Sequence, residues 1–507
     1  MLSRVKTVAF KGLEIVDIEV QVQILSGMPA FTIVGLPDKA VAESRERIRA
    51  ALFSMGLKLP AKRITINLAP ADILKEGTHY DLPLALGLLC GMGLIKQEKL
   101  SEYVAVGEVG LDGAIIKVAG VLPAAIRAEK VGCGFICPDV QKGEAAWAEV
   151  KNIAPVKTLS EAVDYLNGKL EIHCPKPEVE VEKTSSLDMR EVKGQESAKR
   201  ALEIAAAGGH NLIMVGPPGS GKSMLAARLP TILPLMTRNE AIETSMIASI
   251  AGELKGDRLD FVRPFRAPHH SASTPALVGG GRLAKPGEIS LANNGVLFLD
   301  ELPEFARSTL EALRQPLENG VVSVSRVNSH VEFPAKIQLI AAMNPCRCGY
   351  LGVSSRECTR APKCAQEYQA KISGPLLDRI DIQIEVPPVS PWDMSKMPDG
   401  ESSAEIRKRV VAAREIQQKR FDSFGRSDLH TNSQLSGDML EEAAVLDDEA
   451  KELLLNYAHS VKLSARGYNR TLKLARTIAD LQNEIKLRKI HIAEALSMRW
   501  KVPEYKV

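Results

Sequence analysis

Aromatic residues make up only 4% of the 507 positions, so stacking platforms for single-stranded nucleic acid are not the chain's main device. An excess of one charge is also missing. The 65 basic and 62 acidic residues leave a net charge of +3. A whole-protein basic field is therefore excluded, and any contact with nucleic acid has to come from local patches. No apolar run is long enough to cross a bilayer; the longest, from Leu82 to Ile95, fits a buried helix. The opening residues MLSRVKTVAFKGLE contain neither the apolar stretch nor the small-residue cleavage site of a secretory signal, which makes a cytoplasmic setting the expectation. Cysteine is sparse, with eight residues, and in a reducing compartment no disulfide framework is expected. What remains is ordinary: 45% hydrophobic and 25% charged residues describe a globular chain of about three domains. Disorder, collagen-like repeats and a coiled coil are excluded as the main architecture.

Residues 1–168 alternate strand-like and helix-like runs. Ile15 to Ile24 alternates apolar and polar positions, as a half-buried strand does, and Arg63 to Leu68 reads as a second strand. Pro37 to Met55 has helical spacing with Pro37 in the first turn, and Asp81 opens another helix. Asp112-Gly113 marks a hairpin. Residues 169–187, with two prolines and alternating glutamates, read as a linker, with an edge strand as the alternative. Residues 188–386 have the alternation of an α/β domain with a parallel sheet: NLIMVG, GVLFLDE and IQLIAAMN are near-continuous apolar runs that end in polar residues. Residues 387–507 are mostly helical, with basic outer faces and the look of a lid.

The run Gly216, Pro217, Pro218, Gly219, Ser220, Gly221, Lys222, Ser223 meets the P-loop pattern at every required position, between a predicted strand and a predicted helix. Its glycines let the backbone curl so that N–H groups point at phosphate oxygens, and the helix start adds its positive dipole end. Lys222 would reach the terminal phosphates of ATP, and Ser223 would ligate Mg2+. GVLFLDE delivers Asp300, which would hold the Mg2+ through its water shell, and Glu301, which would polarise the attacking water. Asn344 ends the third apolar run, where its amide would orient that water or touch the γ-phosphate; capping a helix is its alternative role.

With these pieces in place, the chain resembles the AAA+ superfamily, its magnesium-chelatase-like branch, and most closely the ComM (YifB) family. The likeness is carried by VKGQESAKRALEIAAAGGHNLIMVGPPGSGKS, RPFRAPHHSASTPALVGGG, KPGEISLANNGVLFLDELPEF, AAMNPCRCGY, ISGPLLDRIDI and LSARGYNRTLKLARTIADL, and covers essentially the whole chain. It implies an α/β AAA+ core with a helical lid, behind an α+β domain of the Lon-protease-like (ribosomal-S5-domain-2-like) type. It also implies a sensor role for Asn344, an arginine finger at Arg379 reaching a neighbouring subunit's nucleotide, and a lid sensor arginine at Arg470. Gly194 and Gln195 would lie near the adenine. A finger acts only across a subunit boundary, so a homo-hexamer is implied. An intramolecular ion pair for Arg379 and a plain surface charge for Arg470 stay open.

Two core inserts resemble the pore-facing elements of related MCM-like ATPases, where the corresponding hairpin contacts DNA. One is the hairpin VVSVSRVNSHVEFPA with Arg326, Asn328 and His330 at its tip; the other runs from Phe261 to Gly281 with Arg263, Arg266, His269 and His270. Such contact would neutralise phosphates and read no bases; a merely solvated basic tip is the alternative. The N-terminal domain has KEGTHYDLPLALGLL and GEVGLDGAIIKVAGVLPAAIRAEKVG in common with Lon-type proteases. The nucleophilic serine position, however, falls on His79 and the lysine position near Leu122, so peptide hydrolysis is not implied unless Ser3, Ser26 or Ser44 finds another base. Cys346, Cys348, Cys358 and Cys364 form a set that suits a structural Zn2+, with free thiols or a disulfide as alternatives. Cys90, Cys133, Cys137 and Cys174 are expected to be packing residues. The function that follows is a hexameric DNA motor driving branch migration or strand exchange in recombination and transformation. A magnesium or cobalt chelatase motor, an ATP-dependent protease and an ATP-gated scaffold stand behind it.

Overall fold

The computed structural model describes residues 2–177, 186–254, 259–280, 284–326, 329–351, 358, 360–390, 392 and 397–499. The N-terminal domain is built on a seven-stranded mixed sheet. Its order is Ala30–Val34, Arg63–Ala69, Glu14–Leu25, Leu2–Lys11, Tyr103–Ala105, Gly134–Pro138, Ile153–Val156. Alternation along Leu2–Lys11 and Glu14–Leu25 puts Val5, Val20 and Val22 on one face, where helices Lys39–Ser54 and Asp81–Gly91 cover them with Ile48, Leu52 and Leu86. Val8, Val104 and Phe135 face the other way, against helix Val121–Lys130. Each fully buried aliphatic side chain contributes about 1.5–3 kcal/mol, so two such layers are a sufficient core. One expectation shifts by two positions: the N-cap of the first helix is Asp38, which accepts from Val41 N at 2.8 Å, so Pro37 precedes the cap. The Asp112-Gly113 hairpin is present, joining Glu108–Val109 to Ile115–Ile116.

His79 and Leu122 are both buried, His79 with its Nε2 3.0 Å from the Val8 carbonyl oxygen. Ser3 donates to the Gly87 carbonyl (2.6 Å), and Ser44 donates to Asp81, which is held by Arg47 (2.6 Å). These are packing contacts. Burial holds the His79 imidazole at a pKa of about 4, below its ordinary 6.5. Between these values the unfolded chain binds a proton that the folded chain refuses. The stability linked to neutral His79 is therefore complete above pH 6.5 and lost as the pH falls toward 4. His79→Gln is expected to flatten this dependence by about 2 kcal/mol between pH 7 and pH 5. Hydrogen exchange of strand Leu2–Lys11 at the two pH values reads it directly; an unchanged dependence contradicts it.

Residues 169–177 form neither helix nor strand, and 178–185 lie outside the described residues. The second sheet is parallel throughout, in the order Phe265–Arg266, Val296–Leu299, Gln338–Met343, Leu212–Val215, Ile382–Glu385. Its three inner strands are wholly buried, which is why their sequences are continuously apolar. Helices Glu196–Gly208 and Lys222–Ile232 pack on one face and carry the C-terminal helices Ser403–Ser423 and Ala465–Leu481 in the same hydrophobic cluster. The C-terminal helices do not present only basic outer faces, as their composition suggests. Arg476 is 1% exposed, donating to Asp480 (3.1 Å) and to the Ile485 carbonyl (2.5 Å). Asp480 also accepts from Arg420 (2.5 Å) and Asn432 (2.7 Å). A fully satisfied buried network of this kind fixes one docking geometry for the lid. His210 extends it to the core by bridging Thr477 (2.8 Å) and Asp381 (3.1 Å).

The N-terminal domain is not tethered loosely. Leu122 and Trp147 share a small core with Met236, Ala241 and Leu259, and Glu144 accepts from Ser249 (2.5 Å) and from Leu122 N (2.9 Å). Among the described residues, no helix is long and apolar enough to cross a membrane.

Candidate functional site

The P-loop joins strand Leu212–Val215 to helix Lys222–Ile232, at the carboxyl edge of the sheet where ligands of open α/β sheets bind. Gly216 is required there: a Cβ would lie 2.2 Å from the Val386 carbonyl oxygen, so only glycine lets the loop leave the strand this close to its neighbour. Pro218 to Met224, Asp300, Glu301, Met343 and Asn344 line an open cavity of about 390 Å3. The sequence-predicted residues therefore converge although they come from three separate strands.

Lys222 folds back into its own loop. Its Nζ donates to the carbonyls of Gly216 (2.8 Å) and Pro217 (2.9 Å) and lies 3.4 Å from Asn344 Oδ1. Burial lowers its pKa, opposed by the Asp300 carboxylate. An incoming phosphate would offer this desolvated ammonium stronger, charged acceptors than the carbonyls it now holds. Ser223 Oγ donates to Asp300 Oδ2 at 2.6 Å. A hydroxyl and a carboxylate oxygen side by side at a phosphate cradle are the donor set that Mg2+ takes in such sites. Gln195, at the start of helix Glu196–Gly208, donates to the carbonyls of Ser220 (3.2 Å) and Pro387 (2.6 Å), which places Gly194 and Gln195 against the loop.

Glu301 has a left-handed backbone (φ +51°), uncommon for a residue with a Cβ, and its N–H is held by Asp300 Oδ1 at 2.9 Å. The turn separates the two carboxylates: one faces Ser223, while the other meets His270, whose Nδ1 lies 3.1 Å from Glu301 Oε2. His270 is fixed between His269, with rings 4.1 Å apart, and the edge of Phe305. It is a site residue that sequence reasoning did not assign. The HH pair was visible, but its partner lies in another loop, just past strand Val296–Leu299.

Arg379 and Arg470 are together, but not at the P-loop. Both line a second cavity of about 790 Å3, with Asn211, Gly295, Gln338 and Asp381, residues at the amino ends of the parallel strands. Arg379 pairs with Glu318 and donates to the Pro375 carbonyl (2.7 Å). Arg470 donates to the Ile380 carbonyl (2.9 Å) and Asp378 (3.1 Å). Both Nε atoms are buried, and among the described residues neither has a hydrogen-bond partner.

In the second insert the structure pairs the two arginines within the chain. Phe265–Arg266 is the edge strand of the core sheet. Arg263 is consumed by Glu240 (3.1 Å) and the Asn294 carbonyl (2.7 Å), and Arg266 by Glu288 (2.6 Å) and Glu253 (3.2 Å). Returning a chain to a sheet edge leaves carbonyls and carboxylates that guanidinium groups satisfy, so these two charges do not form a free patch. The first insert is a hairpin, Val321–Arg326 with Ser329–Pro334, whose second strand meets Gly12 of the N-terminal domain at Val331 and Glu332, with Leu13 against the same cluster. Asn328 and the side chains of Arg326 and His330 lie outside the described residues.

Cys346, Cys348, Cys358 and Cys364 bring four Sγ atoms within 4.8 Å of one another. Cys90, Cys133 and Cys137 are buried as packing residues should be; Cys174 is exposed and is not one.

Three family models match, between them, most of the chain. The model described as magnesium chelatase, subunit ChlI, matches residues 188–394, that of subunit ChlI of Mg-chelatase matches 20–141, and that of the ChlI C-terminal region matches 400–499. The chain is 44% identical to the competence protein ComM of Haemophilus influenzae over 502 residues, 97% of this chain and 96% of that protein. It is 43% identical to the YifB protein of Escherichia coli over 499 residues, 98% and 97% of the two chains.

Proposed function

The chain belongs to the ComM/YifB family of magnesium-chelatase-like AAA+ proteins, and from that premise we propose that it is an ATP-driven DNA motor that promotes branch migration or strand exchange. The observation that carries this is the placement of two half-sites at opposite edges of one sheet. Lys222, Ser223, Asp300, Glu301 and Asn344 lie at the carboxyl edge, and Arg379 with Arg470 at the amino edge. Strands of this length separate the two edges by on the order of 13 Å, too far for one guanidinium to serve its own P-loop across the sheet. A head-to-tail contact between copies brings the edges together, and repeating it with closure gives a ring, a hexamer by the pattern of the family.

Within each site Lys222 and the loop amides bind phosphates, and Ser223 with Asp300 would hold Mg2+, which supplies charge neutralisation on the phosphates. Glu301 takes the proton of the attacking water, with His270 positioning its carboxylate between turnovers. Asn344 orients the water. DNA contact falls to the hairpin of Val321–Arg326 and Ser329–Pro334, which packs on the N-terminal domain at Gly12. The four cysteines would hold a structural Zn2+. The relative's name, competence protein, is in keeping with a role in uptake and recombination of DNA.

The test is a branch-migration assay on a synthetic three- or four-way junction with ATP and Mg2+. Movement by the wild type and none by Lys222→Ala is the expected result. ATPase stimulated by forked DNA points the same way. Stimulation only by a chelatase partner with porphyrin would replace the DNA motor by a metal-insertion motor.

A further inference from the structure

The cysteine cluster adjoins the nucleotide site. Cys346 follows Asn344 by two residues, a reach of at most about 7 Å. Asn344 is the residue whose Oδ1 faces Lys222. The loop then turns back at Gly349, where the N–H donates to the Cys346 carbonyl at 2.9 Å and φ is +85°. A Cβ at Gly349 would lie 2.6 Å from Pro218 Cδ and 2.7 Å from Pro218 Cγ, inside the P-loop. The far side of the knuckle is anchored by Gln369, which donates to the Pro345 carbonyl at 2.8 Å. The P-loop thus rests on the backbone of the segment that carries the first two cysteines.

We propose that Cys346, Cys348, Cys358 and Cys364 hold a zinc ion that braces the P-loop through Gly349 and Pro218, so that metal occupancy sets nucleotide affinity. It rests on the nucleotide site assigned above. The donor set fits. Four thiolates around one tetrahedral zinc, with Zn–S of about 2.3 Å, lie about 3.8 Å apart; here all four Sγ atoms lie within 4.8 Å, Cys346 and Cys348 at 3.2 Å. A four-iron cluster binds each thiolate through a different iron and needs them spread further. Large apolar residues are few between Cys348 and Cys364, so hydrophobic burial supplies little of the energy that would hold the four thiolates together. A metal bonded to all four supplies that energy instead. Among the described residues, Gln369 on Pro345 and the Gly349 N–H on the Cys346 carbonyl hold the near side of this knuckle, and a metal would add the constraint from Cys358 and Cys364.

The experiment measures zinc by plasma mass spectrometry on protein purified without chelator, and nucleotide affinity with a fluorescent ATP analogue, in the wild type, Cys348→Ser and Gly349→Ala. Cys348 is exposed, so its loss opens no cavity in the core. The wild type is expected to carry one zinc per chain. Cys348→Ser is expected to lose it, with a fall in nucleotide affinity on the order of tenfold. Gly349→Ala keeps the zinc and loses a similar factor, because its Cβ displaces Pro218. Circular dichroism identifies a variant that has merely unfolded, and in that case the wild type stripped of zinc by a chelator replaces it. Absence of metal, iron in place of zinc, or a zinc-free protein with wild-type nucleotide affinity would each overturn the proposal. A zinc-loaded wild type that binds no nucleotide would instead sink the ATPase assignment, and this coupling with it.

Discussion

Lys222→Ala and Glu301→Gln are expected to abolish hydrolysis for opposite reasons, and nucleotide binding separates them. Lys222 is the cation buried in the loop, 8% exposed, with its Nζ held 2.8 and 2.9 Å from two loop carbonyls. Alanine removes the charge that the terminal phosphates need and leaves those carbonyls facing them. Binding should weaken together with turnover. Glu301 touches neither Ser223 nor Lys222; its carboxylate is turned toward His270 by the left-handed turn. Glutamine keeps that shape and removes the base. The proton of the attacking water then has no acceptor, a loss of about 10²–10⁴-fold in rate. Nucleotide stays trapped. Filter binding with labelled ATP beside phosphate release checks both statements, and normal turnover by the two variants would refute the site.

The convergence of Lys222, Ser223, Asp300, Glu301 and Asn344 was legible in the sequence because strands buried on both faces write themselves as apolar runs. The residue after each run must then sit at the sheet edge. The cysteine set was legible because four thiols so closely spaced in a polar segment suit a metal better than a core. Partnership across elements was not legible. His270 is an ordinary loop histidine until Phe265–Arg266 pairs beside Val296–Leu297 and brings it to Glu301. Arg263 and Arg266 looked like a free basic patch because composition counts charges and not their acceptors. Arg476 looked like an outer-face residue for the same reason, although Asp480 and three carbonyls enclose it. The position of Arg470 depends on how the lid docks, which the buried Asn432, Thr477 and Asp480 network decides and helical periodicity does not.

Arg379→Ala is expected to lower ATP hydrolysis by about 10³–10⁵-fold while leaving nucleotide binding intact. Among the described residues the Arg379 guanidinium donates to Glu318 and to the Pro375 carbonyl, and Arg379 does not line the P-loop cavity. A purely internal ion pair would leave no reason for hydrolysis to need it, and Glu318→Gln would then be as harmful as Arg379→Ala. As a finger, Arg379 has to leave Glu318, and Glu318→Gln should be tolerated. The Nε atoms of Arg379 and Arg470 have no acceptors among the described residues, so neither guanidinium is fully committed within its own chain. Mixing decides between the two cases. Arg379→Ala subunits keep an intact P-loop, and Lys222→Ala subunits keep an intact finger. In a randomly mixed head-to-tail ring roughly a quarter of the boundaries pair one with the other in the working order. Phosphate release should therefore return on mixing two inactive proteins, and fail to return if each chain uses its own arginine.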